Sequence, residues 1–172
     1  MFQECFLTYY ATRSQYITQH FFTARDTFDP DAIHDLRVEI KQLRSFFNLL
    51  EWLSPDFQAK QQIRSIRKLF KSAAQLRDTH VQQDLTRTWS QDRGVFLSEY
   101  YNALKEKEFP ARERFCQFVR DFDIQREIEL NEQRITETLG SVSDEDAALK
   151  TRDRVESLLK QIIEYGTQDR LQ

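Results

Sequence analysis

The apolar residues Leu36, Ile40, Leu43, Phe47 and Leu50 recur at spacings of four and three. Only an α-helix gathers that spacing onto one face; a strand would alternate with a period of two. Little in the chain would stop such a helix, since its 172 residues include three glycines and three prolines. Each proline reads as a start. Pro30 follows Asp29 and Pro55 follows Ser54, the order of an N-cap and a first helical residue, and Pro110 takes the same role. Gly94 and Gly140 separate periodic segments, and Ser143 with Asp146 three residues on makes an acidic version of a capping box. The pattern predicts helices over 3–27, 30–53, 55–76, 78–91, 95–107, 110–139 with room for a break, and 144–165. Connections this short fold consecutive helices back as antiparallel hairpins. The expected fold is an all-α bundle in one domain spanning residues 1–172.

Charge narrows the function classes. The net charge is -3 and the isoelectric point about 5.7, which argues against a protein that meets nucleic acid with its whole surface. The distribution is uneven, however. Residues 29–80 hold nine Lys and Arg against seven Asp and Glu, and from Phe57 to Arg77 there are six bases and no acid. From Asp121 onward 13 acids face seven bases, an excess suited to a partner surface or to solubility. Cys5 and Cys116 lie far apart with no CxxC partner, so they read as reduced packing thiols in a cytoplasmic protein. No stretch approaches the roughly 18 apolar residues of a membrane span, and the start lacks the pattern of a signal peptide.

The bases themselves are ordered. At 100° per residue His34, Arg37, Lys41, Arg44 and Asn48 fall within an arc of roughly 80°, whose neighbour, the apolar seam, is centred roughly 115° away. Asp35 and Glu39 lie on the far side. In the next helix Lys60, Arg64, Arg67, Lys68 and Lys71 span roughly 100°, opposite Ile63, Ile66, Leu69, Phe70 and Ala73. A solvated helix face would intersperse acids at i,i+4, and a single basic stripe is most often such a face. Two successive stripes without local acids shift the balance toward a basic groove, each side about 15 Å long, for an extended polyanion. His34 in such a row is a switchable donor that can hydrogen-bond phosphate, although a histidine in a first turn can equally be satisfied by backbone or by Asp31. Arg77 falls on the apolar side of an unbroken helix. Either the helix bends at "LRDTH" and aims Arg77 into the groove beside Lys71, or Arg77 is buried with a carboxylate.

The segment "IHDLRVEIKQLRSFFNLL", followed some thirty residues later by "AAQLRDTHV", resembles the CHAD family, the conserved histidine α-helical domain. The resemblance is carried by HxxRVxxKxxR plus LRD over residues 28–85. It implies a helical domain of two similar halves around a basic pore or groove that binds inorganic polyphosphate without catalysis, in some relatives at polyphosphate granules. By motif position His34, Arg37, Lys41 and Arg44 are implied ligands; Lys68, Lys71 and Arg77 follow as additions, and Arg64 and Arg67 share the second stripe. Relatives repeat the HxxR motif in a second half, which is absent here, so a homodimer or a missing second half-domain is expected to complete the groove.

The residues carry no sign of chemistry of their own. There is no P-loop, HExxH, cysteine pair or glycine-rich phosphate cradle, so no enzyme, cofactor or metal is expected. The acids of "DEDAALK" read as helix-start complements to the dipole. The alternative is a helical interaction module whose bases meet an acidic partner protein. RNA is disfavoured because the fourteen phenylalanines sit mostly at core spacings, unavailable for stacking.

Overall fold

Two residues, Phe28 and Asp29, turn the chain between its first two long helices, α1 (Phe2–Thr27) and α2 (Pro30–Leu53). Phe28 adopts the left-handed region at φ 56, a strained setting for a large side chain. Its ring is held edge-on to Phe115 and beneath the Arg112 guanidinium, 4.3 Å from the ring centre. Asp29 then accepts a hydrogen bond from the Ala32 amide at 2.7 Å with Pro30 behind it, so α2 starts where its cap and proline predict. The computed structural model describes the backbone of residues 2–168 and side chains through residue 163.

Helices α1 and α2 zip together antiparallel. The buried positions Tyr10, Ser14, Ile17, Phe21 and Ala24 of α1 keep the same four-three spacing as those of α2. Phe6 and Tyr9 meet Phe46, and Tyr10 stacks on Phe47. On the other side of α1 lies α7 (Ile124–Gly140), also antiparallel: Tyr10 Oη donates to the Ile128 carbonyl at 2.8 Å and Gln3 to that of Leu139 at 2.7 Å.

The chain from Pro55 to Arg93 is more broken than its pattern predicts. A 3-10 turn at Pro55–Phe57 and a left-handed Gln58 precede α3 (Ala59–Gln62), α4 (Arg64–Ser72) and α5 (Ala74–Arg93). Single residues, Ile63 and Ala73, separate the last three. Both are buried, so the kinks keep one apolar face turned inward while the helix wraps the core. Gly94 at φ 63 ends α5 as expected. Helix α6 (Ser98–Arg120) then returns along α5. It runs straight through Pro110, so the proline expected to start a helix sits inside one. Leu104, Ala111, Phe115 and Val119 are buried on both sides of it, and their packing outweighs the local loss of one amide donor. The break comes instead at residues 121–123, where Asp123 caps α7 by accepting from the Arg126 amide at 3.0 Å.

Helix α8 (Asp144–Gln168) begins with the expected reciprocal cap, Ser143 accepting from the Asp146 amide and donating to its carboxylate. It crosses the C-terminal end of α2, where the Trp52 indole donates to the Lys150 carbonyl and Lys150 Nζ to that of Leu53. The described residues contain no strand, and the fold is all-α as the periodicity predicts. No helix among them is long and apolar enough to cross a membrane.

Candidate anion-binding face

The second basic stripe is gathered on α4. Arg64, Arg67, Lys68 and Lys71 line one surface depression of about 240 Å³, and nothing but bases lines it. All four side chains are exposed, as is Lys60 one segment earlier. None of them has an ion pair or side-chain hydrogen bond among the described residues. The local reason is plain in the pattern: Ile66 and Leu69 are buried, which turns the intervening charged residues outward.

On α2 the first stripe divides. His34, Lys41 and Arg44 are exposed and likewise without an intramolecular partner among the described residues. Arg37 is different. It is half-buried, its guanidinium lies 3.9 Å from the centre of the Phe70 ring, and Nη1 donates to the Phe70 carbonyl at 2.7 Å. Burial lowers its pKa from the usual arginine value, with Asp78 acting in the opposite sense and Arg77 in the same sense. Arg37 is thus a tie between α2 and α4. That role was invisible in the sequence, because Phe70 reads as one more seam residue.

The tie holds α2 against α4 at Phe70, while the basic depression itself is lined by residues of α4 alone. One acid of α2 is drawn off. Glu39 faces α1, where Arg13 Nη1 lies 3.0 Å from its carboxylate and sits between the rings of Tyr9 and Tyr16.

Neither expectation for Arg77 is met: "LRDTH" lies unbroken inside α5, the chain bending earlier at Ala73, and Arg77 does not line the α4 depression. It is half-buried, and its Nη1 reaches the Pro30 carbonyl at 3.5 Å across the start of α2. Asp78 is exposed, so there is no buried Arg77–Asp78 pair. Beneath this corner His80 is buried, with Nε2 3.7 Å from Glu108 and Nδ1 without a partner. Burial lowers its pKa below the ordinary histidine value against the pull of Glu108. Of the three histidines, this is the buried one, and nothing in its spacing marked it.

No group of three or more His, Cys, Asp or Glu that could hold a metal ion occurs among the described residues. Cys5 and Cys116 are free.

The fold is all-helical among the described residues, with an exposed basic row on α4 and exposed His34, Lys41 and Arg44 on α2. The chain belongs to the CHAD domain family, whose sequence profile matches residues 11–170, well beyond the motif-bearing stretch and nearly the whole chain. No curated protein and no solved structure matches it.

Proposed function

We propose that this protein binds inorganic polyphosphate, or a polyanion of similar charge spacing, along the basic face of α2 and α4, without catalysis. The observation that carries the reading is the depression on α4 lined by Arg64, Arg67, Lys68 and Lys71 alone. Four like charges held in one concavity repel one another, and a polyanion relieves that repulsion with charge-assisted hydrogen bonds. Arginine grips phosphate oxygens in pairs and lysine acts as a point charge, so the mixture suits a chain whose phosphates are not individually recognised. His34, Lys41 and Arg44 extend the same face along α2, and Arg77 stands at its end. Family membership is consistent with this ligand, which the CHAD resemblance implies. The face stands open in one chain, and a second copy or a second half-domain would enclose it. A reducing cytoplasmic setting near polyphosphate granules fits free thiols and such a ligand.

Calorimetric titration with polyphosphate of defined length, beside single-stranded RNA of equal charge, tests the reading. Polyphosphate should bind more tightly than the RNA. The double reversal Lys68→Glu/Lys71→Glu should weaken binding at least tenfold with its helical circular dichroism unchanged. Equal binding by the folded double variant at the same ionic strength would show the stripe to be an ordinary solvated face. Displacement by an acidic peptide but not by polyphosphate would point instead to a protein partner.

A further inference from the structure

A cavity of about 370 Å³ lies where α5 meets α6, and none of the residues that line it lines the α4 depression. Its walls are largely apolar. The chain leaves α5 at Gly94, with φ 63, and enters α6 at Ser98; between them Phe96, 77% exposed, and Leu97, 38% exposed, line the cavity from the turn. The Tyr101 ring, with Lys105 Nζ 5.1 Å from its centre, lines it from α6. Thr86 and Ser90, one turn apart, line it from α5. The volume falls at the small end of the range for sites that take small molecules, and a few polar groups among apolar walls are the usual makeup of such sites.

The Ser90 hydroxyl sets the chemistry of an occupant. Ser90 is 8% exposed, and its hydroxyl has no hydrogen-bond partner among the described residues. Thr86 is as deeply buried, but its hydroxyl donates to the Gln82 carbonyl at 2.7 Å and is satisfied within α5. A buried hydroxyl left unpaired is costly, and the cavity that Ser90 lines is the side from which a partner reaches it. Charge is already answered. Arg87, the charged residue of the lining, pairs with Asp84 one turn back. A charged ligand would give up its hydration here without a free counter-charge. A flat uncharged ring would instead remove water from Phe96, Leu97 and Tyr101 and bring one polar atom to Ser90.

We propose that this cavity binds a small uncharged aromatic molecule bearing one hydrogen-bonding group, of the indole or phenol kind, with its ring between Tyr101 and the Phe96–Leu97 turn and its polar atom on the Ser90 hydroxyl. The site is separate from the basic face, and it is tested without any polyanion. A tryptophan side chain of another protein carries the same ring, but its flanking amides exceed what a cavity of this volume takes.

Amide chemical-shift titration of the full chain with indole should give saturable shifts centred between Thr86 and Tyr101. Indene, which has the same two rings without the N–H, should bind about three- to tenfold more weakly, the worth of one hydrogen bond. In Ser90→Ala the two compounds should bind alike. Ser90→Leu, which fills the cavity, should bind neither, with helicity retained in far-ultraviolet circular dichroism. Tyr9→Ala, at the apolar groove between α1 and α2, should leave both affinities unchanged. N-acetyltryptophanamide, which carries the flanking amides, should bind more weakly than indole. A parent without saturable shifts, shifts centred on another part of the bundle, equal affinity of the parent for indole and indene, a preference for indole that survives Ser90→Ala, a loss of binding in Tyr9→Ala, or tighter binding of N-acetyltryptophanamide than of indole would each overturn the proposal.

Discussion

Arg37 and Lys41 stand one turn apart on α2 and have separate roles in the fold. Arg37 covers the Phe70 ring and donates to its carbonyl, whereas Lys41 is exposed and unpaired among the described residues. Arg37→Glu removes both contacts and leaves a part-buried carbonyl without its donor, a loss on the order of 1–3 kcal/mol. Lys41→Glu should stay within about 0.5 kcal/mol of the parent while weakening polyanion binding. Urea midpoints separate the two, and equal midpoints would mean that the Arg37 contact contributes nothing. His80 gives a second prediction at this scale. Its pKa is lowered in the folded protein by burial, so the unfolded chain binds the proton more readily. Stability is then lost as pH falls through the ordinary histidine value near 6.5 toward the lower folded one, by at most about 1.4 kcal/mol per pH unit. His80→Gln should flatten the stability profile between pH 7 and 5. A variant as pH-sensitive as the parent would assign the slope to carboxylates instead.

Helix α6 shows how an element can override its own sequence. Pro110 lacks the amide that would close a hydrogen bond in mid-helix and crowds the preceding turn, yet α6 continues because Leu104 before it and Ala111 and Phe115 after it are all buried. Pro110 is itself exposed. Pro110→Ala should therefore restore the bond without disturbing the core and raise stability by about 1–3 kcal/mol. Chemical denaturation measures it, and a destabilised variant would show that a kink at this position is needed for the α5–α6 packing. The opposite case is the stretch from Pro55 to Ser72, where no proline or glycine intervenes after Pro55 and the helix still breaks, at Gln58 and Ile63. There the Ala59 amide is satisfied by the Glu51 side chain at 3.0 Å, so the chain can leave helical geometry without stranding a donor.

At the scale of the molecule, an acidic protein presents a basic face. The net charge of -3 repels a polyanion at long range, while the α4 depression attracts it at contact. Salt screens the first effect beyond about a Debye length and reduces the gain from counterion release in the second. Affinity for polyphosphate should therefore fall steeply as salt rises from 50 to 200 mM. The Lys68→Glu/Lys71→Glu protein should show a log–log slope shallower by about two if each lysine holds one phosphate. Parallel slopes for parent and variant would mean that these lysines touch no phosphate.

What the sequence determined by itself was whatever depends on short-range periodicity. The helical class, the cap at Asp29, the reciprocal cap at Ser143 and Asp146, and the outward row Arg64, Arg67, Lys68 and Lys71 all follow from spacing within a turn or two, because a helix fixes the direction of each side chain relative to its neighbours. What only the tertiary structure decided involves residues far apart in the chain. Arg37 found Phe70 across 33 positions, Arg77 found the Pro30 carbonyl across 47, and His80 was buried against α6. Pro110 was kept helical by a core its own segment does not contain. In each case the deciding term is burial against another element, which local periodicity permits but cannot assign.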